Sequence, residues 1–251
     1  MRPGLAFIDL ETVVGDGQRI VSNGNIGSAQ TDVPWGIVVL PDSGDVIWSS
    51  SLYVLQRLSW SSNTVSTIAG KNGQYGDIDG GPGVSILNRP TDFCLSNSGE
   101  VIFFSDWGNK KVKQLSVSDH VVKTVAGNGN CGFTDGNAST EVTFGCDPGF
   151  PGGLRGLFQL GDALFIADDW NKAIRRLKLS EGLVDTFLHL DFQPNSLVYA
   201  QLTGTMSYWF ITSLRVHAAG TATCELEWKP STLGAHARQM VLQQRHEKTG
   251  P

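Results

Sequence analysis

The chain has 251 residues, of which 40% are hydrophobic and only 17% are charged, so it can bury a sizeable core and is not a disordered chain. Its formal net charge of −5 gives no electrostatic reason to expect a nucleic acid or an anionic membrane as the main partner. Thirty glycines and ten prolines exceed what a helical protein of this size would carry, and they favour a sheet protein with many turns.

The predicted elements begin with a partial unit, because LAFIDLETVVG, Leu5 to Gly15, resembles only the end of a repeat. A complete unit follows, with four strand-like runs of β-branched and aromatic residues separated by turn sequences. These runs are Trp35 to Pro41, Asp45 to Ser51, Val54 to Trp60 and Thr64 to Gly70. Such a unit is an antiparallel meander.

Further units of the same kind come next in the chain. The second spans Asp92 to Gly127 and the third spans Gly156 to Leu190. A fourth, weaker unit contains SLVYAQL, Ser196 to Leu202, and SYWFITS, Ser207 to Ser213, with TCELEW, Thr223 to Trp228, as the candidate third strand.

The residue composition changes in the C-terminal tail. GAHARQMVLQQRHEK, Gly234 to Lys248, is rich in helix formers, and we expect a short helix or a frayed extension there. The chain therefore divides into a repeat domain, residues 1–230, and a tail, residues 231–251.

Two sequence markers identify the units as repeats. Strand-like runs that end in VVG, IAG and VAG place glycines at Gly15, Gly70 and Gly127, which are 55 and 57 residues apart. A second marker, FFSDWGNKKV from Phe103, is echoed by FIADDWNKAI from Phe165. Tandem four-stranded units that cannot bury their faces alone predict a β-propeller, in which blades surround a central channel.

The order of the markers resembles the NHL repeat. The resemblance is carried by TIAGKNG, DIDGG, NRP, SGEVIFFSDWGNKKV and IADDWNKAIRRL, and it covers roughly Glu11 to Leu190. It implies an all-β propeller of four-stranded blades. NHL propellers usually have more blades than the four found here, so either the ring is incomplete or the N-terminal strand, Leu5 to Val14, completes the last blade. Open blade edges would recruit other strands, and we expect self-association if the ring is incomplete.

Strand order places several turn residues on one rim of the propeller. In a meander, the loop between the second and third strands shares a face with the connection to the next blade. This rim carries the Gly-rich loops Lys71 to Gly83 and Asn128 to Gly136. It also carries the turn residues Asp106, Trp107, Asn109, Asp168, Asp169, Trp170 and Asn171.

The rim residues differ in their expected roles. Asp106 and Asp168 are expected to form turns, because an Asp at a tight turn commonly bonds its own backbone. A Trp in an exposed turn either packs on the neighbouring blade or contacts a partner, and both interpretations stay open for Trp107 and Trp170. Arg89 and Arg155 precede inner strands, which places them near the channel mouth.

Other motifs indicate no catalytic residue, metal or cofactor. Asp77-Ile78-Asp79-Gly80 resembles the start of a calcium loop, but Asn88 stands where that loop needs a glutamate. None of the innermost strands contains a histidine, which argues against the histidine-based and zinc-dependent lyases of similar architecture. Cys131 and Cys146 bracket one loop and could form a disulfide in an oxidising compartment.

The sequence therefore favours a non-catalytic module that binds a protein or peptide at the rim around the channel. Two alternatives stay open: a lyase- or hydrolase-type propeller enzyme with Arg and Asp at the channel mouth, and an RNA-binding NHL propeller. No apolar run approaches the roughly 20 residues that cross a bilayer, and the N-terminus lacks the features of a signal peptide. We expect a soluble chain whose compartment the sequence does not specify.

Overall fold

The computed structural model describes residues 11–146, 153–191 and 193–194, and the backbone of residues 207–216, 222–230 and 239–243. The fold is all-β, with four antiparallel sheets and a single 3-10 turn, Trp107–Asn109, among the described residues. Within these ranges no helix has the length and hydropathy needed to cross a membrane.

Blade 1 is formed by the first complete unit. Its runs of β-branched and aromatic residues suit the half-buried surface of a pleated sheet, and tight turns separate them. The strands are β1 (Gly24–Asn25), β2 (Pro34–Val39), β3 (Val46–Ser50), β4 (Val54–Ser59) and β5 (Thr64–Gly70). They lie in the order β1-β5-β4-β3-β2, so β2 is innermost.

Blades 2 and 3 repeat this arrangement, with β6 and β11 as their innermost strands. Blade 2 contains β6 (Pro90–Leu95), β7 (Val101–Asp106), β8 (Lys111–Ser116) and β9 (Val122–Ala126). Blade 3 contains β10 (Gly136–Asn137), β11 (Leu154–Leu160), β12 (Ala163–Asp168), β13 (Ala173–Lys178) and β14 (Leu183–His189). The three meanders coincide with the predicted units.

The loop before each blade runs back along the outermost strand of that blade. We call these short segments the straps: β1 pairs with β5, Gly80 bridges to Val122 of β9, and β10 pairs with β14. The strap glycines, Gly24, Gly80 and Gly136, have φ of 153°, 144° and 128°, a backbone region that favours glycine. Each strap supplies hydrogen bonds to an edge that would otherwise be open.

Apolar side chains from neighbouring blades pack into shared cores. Ile47 and Leu55 of blade 1 pack with Phe93 and Phe104 of blade 2 in one buried cluster. An equivalent cluster joins blade 2 to blade 3 through Phe103, Val112, Leu157, Leu164, Ile166 and Leu177. The blades are therefore held side by side through their sheet faces.

The innermost strands approach each other closely. A Cβ atom on Gly36 of β2 would lie 2.1 Å from the backbone oxygen of Thr91 in β6. Ser49 Oγ accepts a hydrogen bond from the Gly36 N–H at 2.9 Å and donates to the Thr91 oxygen at 3.0 Å. Glycine at position 36 therefore sets the distance between the strands that line the channel.

The fourth sheet departs from the prediction for the tail. It contains β15 (Ser207–Val216), β16 (Ala222–Pro230) and β17 (Gln239–Gln243), in the order β15-β16-β17. The expected helix is wrong over Gln239–Gln243, because this segment forms β17 and pairs in register with β16, with Met240 opposite Leu226 and Leu242 opposite Cys224. Tertiary pairing here overrides helix propensity.

Two predicted strands lie wholly or largely outside the described residues. Ser196 to Leu202 falls outside them, as do the first ten residues of the chain. The described end of the N-terminal run, residues 11–14, forms no strand, and Val14 packs against the blade 1 cluster that contains Trp48 and Leu58.

Candidate functional site

Asp106 and Asp168 occupy equivalent positions at the ends of β7 and β12, and neither has exposed surface. Asp106 Oδ1 accepts a hydrogen bond from the Asn88 N–H at 2.8 Å, and its Oδ2 accepts one from Asn109 Nδ2 at 2.7 Å. Burial raises the pKa of Asp106 to about 7, although the Lys113 charge opposes this effect. In this structure Asp106 organises the turn and presents nothing to solvent.

Asp168 makes the equivalent contacts in blade 3 and also pairs directly with an arginine. Its Oδ1 accepts from the Gly145 N–H at 2.9 Å, and its Oδ2 accepts from Asn171 Nδ2 at 2.8 Å and from Arg175 at 2.9 Å. Burial raises the pKa of Asp168 as well, against the lowering effect of these donors and of the Arg175 charge.

The two turn asparagines connect the turns to the Gly-rich loops. Asn109 Nδ2 donates to the Gly76 oxygen at 2.7 Å, and Asn171 Nδ2 donates to the Gly132 oxygen at 2.7 Å. The turns and the loops therefore meet on one rim. Each of these side-chain amides also donates a hydrogen bond to the aspartate of its own turn, Asn109 to Asp106 and Asn171 to Asp168.

A buried polar residue stands at one equivalent position in the third strand of each blade: Gln56, Lys113 and Arg175. Lys113 Nζ lies 2.7 Å from Asp77 and 2.6 Å from Asp79, and Arg175 lies 2.6 Å from Asp135. The sequence places Lys113 and Arg175 in two basic clusters, residues 110–113 and 172–178, which we would expect at solvated strand edges, and this expectation is wrong for both residues. The loop carboxylates supply the counter-charges that make their burial tolerable.

The loop that precedes blade 3 is closed by a disulfide between Cys131 and Cys146, whose Cα atoms are 5.5 Å apart. Gly145, next to Cys146, lies against the adjacent turn: a Cβ atom on it would be 2.9 Å from Trp170 Cβ. The closed loop therefore supports the backbone that carries Trp170.

A cavity of about 570 Å³ opens at the channel mouth and gathers side chains from all three blades. Its size is typical of sites that bury small ligands or single side-chain groups. Neither Gly-rich loop lines it. The lining residues are Arg19, Trp35, Ser51, Leu52, Tyr53, Arg89, Thr91, Trp107, Arg155, Asp169, Trp170 and Gln193.

The two predicted tryptophans share this cavity but not the same turn position. By strand register, Trp107 matches Asp169, and Trp170 matches Gly108. Trp170 is 37% exposed, whereas Trp107 is partly buried and its Nε1 has no hydrogen-bond partner among the described residues. Trp170 therefore presents an exposed aromatic surface to the cavity, whereas the more buried Trp107 ring forms part of its lining.

The two predicted arginines also line the cavity. Arg155 Nε lies 2.9 Å from Asp169 Oδ2, and burial raises the pKa of Asp169 despite this pairing. The guanidinium of Arg89 lies over the Trp107 ring, 5.6 Å from its centroid. Asp169 is itself 3% exposed, and its Oδ1 has no hydrogen-bond partner among the described residues.

Several cavity residues were missed by the sequence reasoning, among them Trp35 and Tyr53. Trp35 is 59% exposed. Strand register makes it equivalent to Thr91 and Arg155, because each is the second residue of the innermost strand of its blade. Aligning the innermost strands would have found Trp35. Tyr53 sits at the tip of the blade 1 turn with φ of 70°, and its ring packs against Tyr75.

The fold and the repeats together are those of a β-propeller whose units resemble NHL repeats. The chain is 29% identical over 113 residues to the NHL repeat-containing protein 2 of Bos taurus, covering 45% of this chain and 15% of that protein. It is 32% identical over 120 residues to the chloroplastic protein SUPPRESSOR OF QUENCHING 1 of Arabidopsis thaliana, covering 48% of this chain and 11% of that protein. The matches thus span a small part of both relatives. No protein-family profile matches the chain.

Solved structures agree on the fold. A chain in a nidogen/laminin complex superposes with a TM-score of 0.54 at 14% identity, over 84% of this chain and 65% of that chain. At this identity the likeness concerns the fold alone.

Proposed function

We propose that this propeller is a protein- or peptide-binding module with no catalytic role of its own, and that it binds at the channel-mouth cavity. One observation carries the proposal. Three tryptophans and a tyrosine from three blades, Trp35, Trp107, Trp170 and Tyr53, converge on one concave surface. Large, rigid aromatic side chains in a pocket are the commonest anchors of protein interfaces.

The way the rim is built supports this use. Buried carboxylates and a disulfide hold the turns beneath the cavity, so the aromatic side chains stand on fixed backbone. A preorganised surface loses less conformational entropy when it binds. A chain of similar fold takes part in a nidogen/laminin complex, which is consistent with such a role.

The test is a selection from a random phage-displayed peptide library, followed by affinity measurement of the selected peptides. We expect the Trp107→Ala/Trp170→Ala variant to weaken binding by at least about thirtyfold, the loss that corresponds to removing a 2 kcal/mol hot spot. The matched control is Trp60→Ala, since Trp60 is 49% exposed and does not line this cavity.

Two outcomes contradict the proposal. One is that no peptide is enriched on the wild-type domain relative to the double variant. The other is that the Trp60 control loses as much affinity as the double variant, which would place the binding surface elsewhere.

A further inference from the structure

We infer that the channel-mouth cavity recognises a carboxylate carried by an aspartate or glutamate side chain of its partner, and that Arg89 is the residue that binds it. The inference rests on the peptide-binding function proposed above and adds the chemistry of the group that is bound.

The charge of the cavity is the first argument. The chain as a whole has a net charge of −5, yet the cavity is lined by three arginines and a single carboxylate. The arginines are Arg19, Arg89 and Arg155, and the carboxylate is Asp169. A local positive region in an acidic protein favours an anionic group at that place.

Only one of these arginines lacks a counter-charge among the described residues. Arg19 pairs with Asp32 at 3.0 Å, and Arg155 pairs with Asp169 at 2.9 Å. Arg89 is exposed and has no carboxylate within ion-pair distance in the described part of the chain; its one recorded contact is with the Trp107 ring. Its hydrogen-bond donors are therefore available to a ligand.

The backbone beneath Arg89 is fixed. Asn88, which precedes it, donates its N–H to Asp106 and accepts a hydrogen bond from the Gly108 N–H, both at 2.8 Å. Arg89 itself has φ of 54°, a conformation that costs a non-glycine residue free energy. The structure thus fixes the backbone from which the Arg89 side chain extends over Trp107.

The other two blades have no arginine at this position. Strand register makes Arg89 equivalent to Val33 in blade 1 and to Gly153 in blade 3, so neither of the other blades places a charge there. A residue that the other blades do not share, that has a strained backbone and that lines a cavity is a candidate for ligand contact.

The neighbouring side chains define the rest of the ligand. A guanidinium offers paired N–H donors that match the two oxygens of a carboxylate, and partial desolvation strengthens the contact. The Trp107 ring lies beneath the guanidinium, and Trp35 and Trp170 add flat apolar surface to the same cavity. The ligand that fits is an acidic side chain flanked by apolar or aromatic residues. A polyphosphate chain would need several free cations, and the described residues of this cavity provide one.

The experiment repeats the peptide-library selection with the wild-type domain, with Arg89→Gln and with Lys123→Gln. Lys123 is an exposed lysine on β9 that does not line the cavity, so its variant makes a comparable charge change elsewhere. We expect wild-type and Lys123→Gln selections to enrich Asp or Glu at one fixed position, and the Arg89→Gln selection to lose that preference.

A double-mutant cycle with one selected peptide then measures the contact itself. Replacing its acidic residue by the matching amide should weaken binding to wild-type and Lys123→Gln domains by about tenfold or more, and binding to Arg89→Gln by less than about twofold. Melting temperatures of the three domains check that all are folded. A single-stranded RNA oligonucleotide and inorganic phosphate serve as competitors.

The outcomes separate this inference from the proposed function. If the enriched peptides carry no acidic residue yet depend on Trp107 and Trp170, the binding function stands and the carboxylate inference is overturned. If Arg89→Gln leaves the difference in affinity between the acidic peptide and its amide unchanged, Arg89 does not bind the carboxylate. If the RNA binds and no peptide is selected, both proposals fail.

Discussion

At the scale of single residues, the equivalent carboxylates of blades 2 and 3 differ in how their charge is compensated. Asp168 contacts Arg175 directly at 2.9 Å, whereas Asp106 lies 3.9 Å from Lys113, whose ammonium group is closer to Asp77 and Asp79. Asp106 is therefore a fully buried carboxyl group whose nearest cation is shared with two other acids. This difference predicts distinct responses to pH and to substitution.

Asp106 should make the protein less stable as pH rises. Burial raises its pKa in the folded state to about 7, above the ordinary value of 3.8, so the folded state binds this proton more tightly than the unfolded state does. Its contribution to the unfolding free energy is fully present below pH 3.8 and is lost as pH rises toward 7. One proton corresponds to a slope of about −1.4 kcal/mol per pH unit within that window.

Urea unfolding at several pH values checks this slope, with Asp106→Asn as the reference. The difference between wild type and variant isolates this carboxyl group from others whose pKa is also shifted. Parallel pH profiles for the two proteins would show that Asp106 does not titrate in this window.

Asp168 should be more costly to remove than a surface aspartate. Asp168→Ala leaves Arg175 buried with Asp135 as its remaining carboxylate and removes the acceptor for the Gly145 N–H. Breaking a buried pair in this way costs about 3 kcal/mol or more. The exposed Asp42 provides the control, and Asp42→Ala should change the unfolding free energy by less than about 0.5 kcal/mol. Equal small losses in both variants would contradict the structural role of Asp168.

At the scale of elements, the sequence predicted the strands far better than it predicted the partners of charged side chains. Strand order and turn chemistry are local in the chain. Asp106 holds the turn residue Asn109, but its backbone donor is Asn88, 18 residues upstream, rather than an amide of its own turn. The burial of Lys113 and Arg175 could not be predicted from composition, because the loop carboxylates that pair with them lie 34 to 40 residues away. Trp35 and Tyr53 were missed because the cavity that they share with Arg89 and Arg155 gathers residues from different blades.

The innermost strands offer a test of how tightly neighbouring blades are packed. In Gly36→Ala the new Cβ atom would meet the Thr91 backbone oxygen, so β2 and β6 must separate. We expect a loss of about 1–3 kcal/mol in unfolding free energy, typical of overpacking against an atom that cannot rotate away. In Gly81→Ala the Cβ atom has its nearest neighbour at 4.0 Å, and this matched variant should be nearly neutral. Similar melting temperatures for both would show that the inner strands can shift.

At the scale of the whole molecule, the lateral face of blade 1 is unlike those of blades 2 and 3. Ile37 is 69% exposed, whereas its equivalents Phe93 and Leu157 are 9% and 3% exposed because the preceding blade covers them. Together with Trp60 and Val13, Ile37 lines a wholly apolar cavity of about 270 Å³ on this face. Exposed apolar surface of this kind favours association.

We therefore expect the domain to self-associate in a concentration-dependent way, as measured by sedimentation velocity. Ile37→Asp should shift the population toward monomer, because it places a charge in the contact. Val84→Asp is the control, since Val84 is 55% exposed in a loop away from this face. A wild-type domain that stays monomeric at all concentrations would contradict this expectation.

The straps have a consequence for protein engineering. Each strap precedes the four strands of its blade in the chain and pairs with the outermost of them. The unit that can be transplanted or duplicated therefore begins at the strap and not at the first strand. A graft of blade 3 has to begin before Asp135, whose carboxylate receives the Thr186 N–H at 3.1 Å, rather than at Leu154. A blade excised at its first strand would carry a bare outer edge into its new host, and a library of chimeric propellers cut ahead of the straps should yield more folded members than one cut behind them.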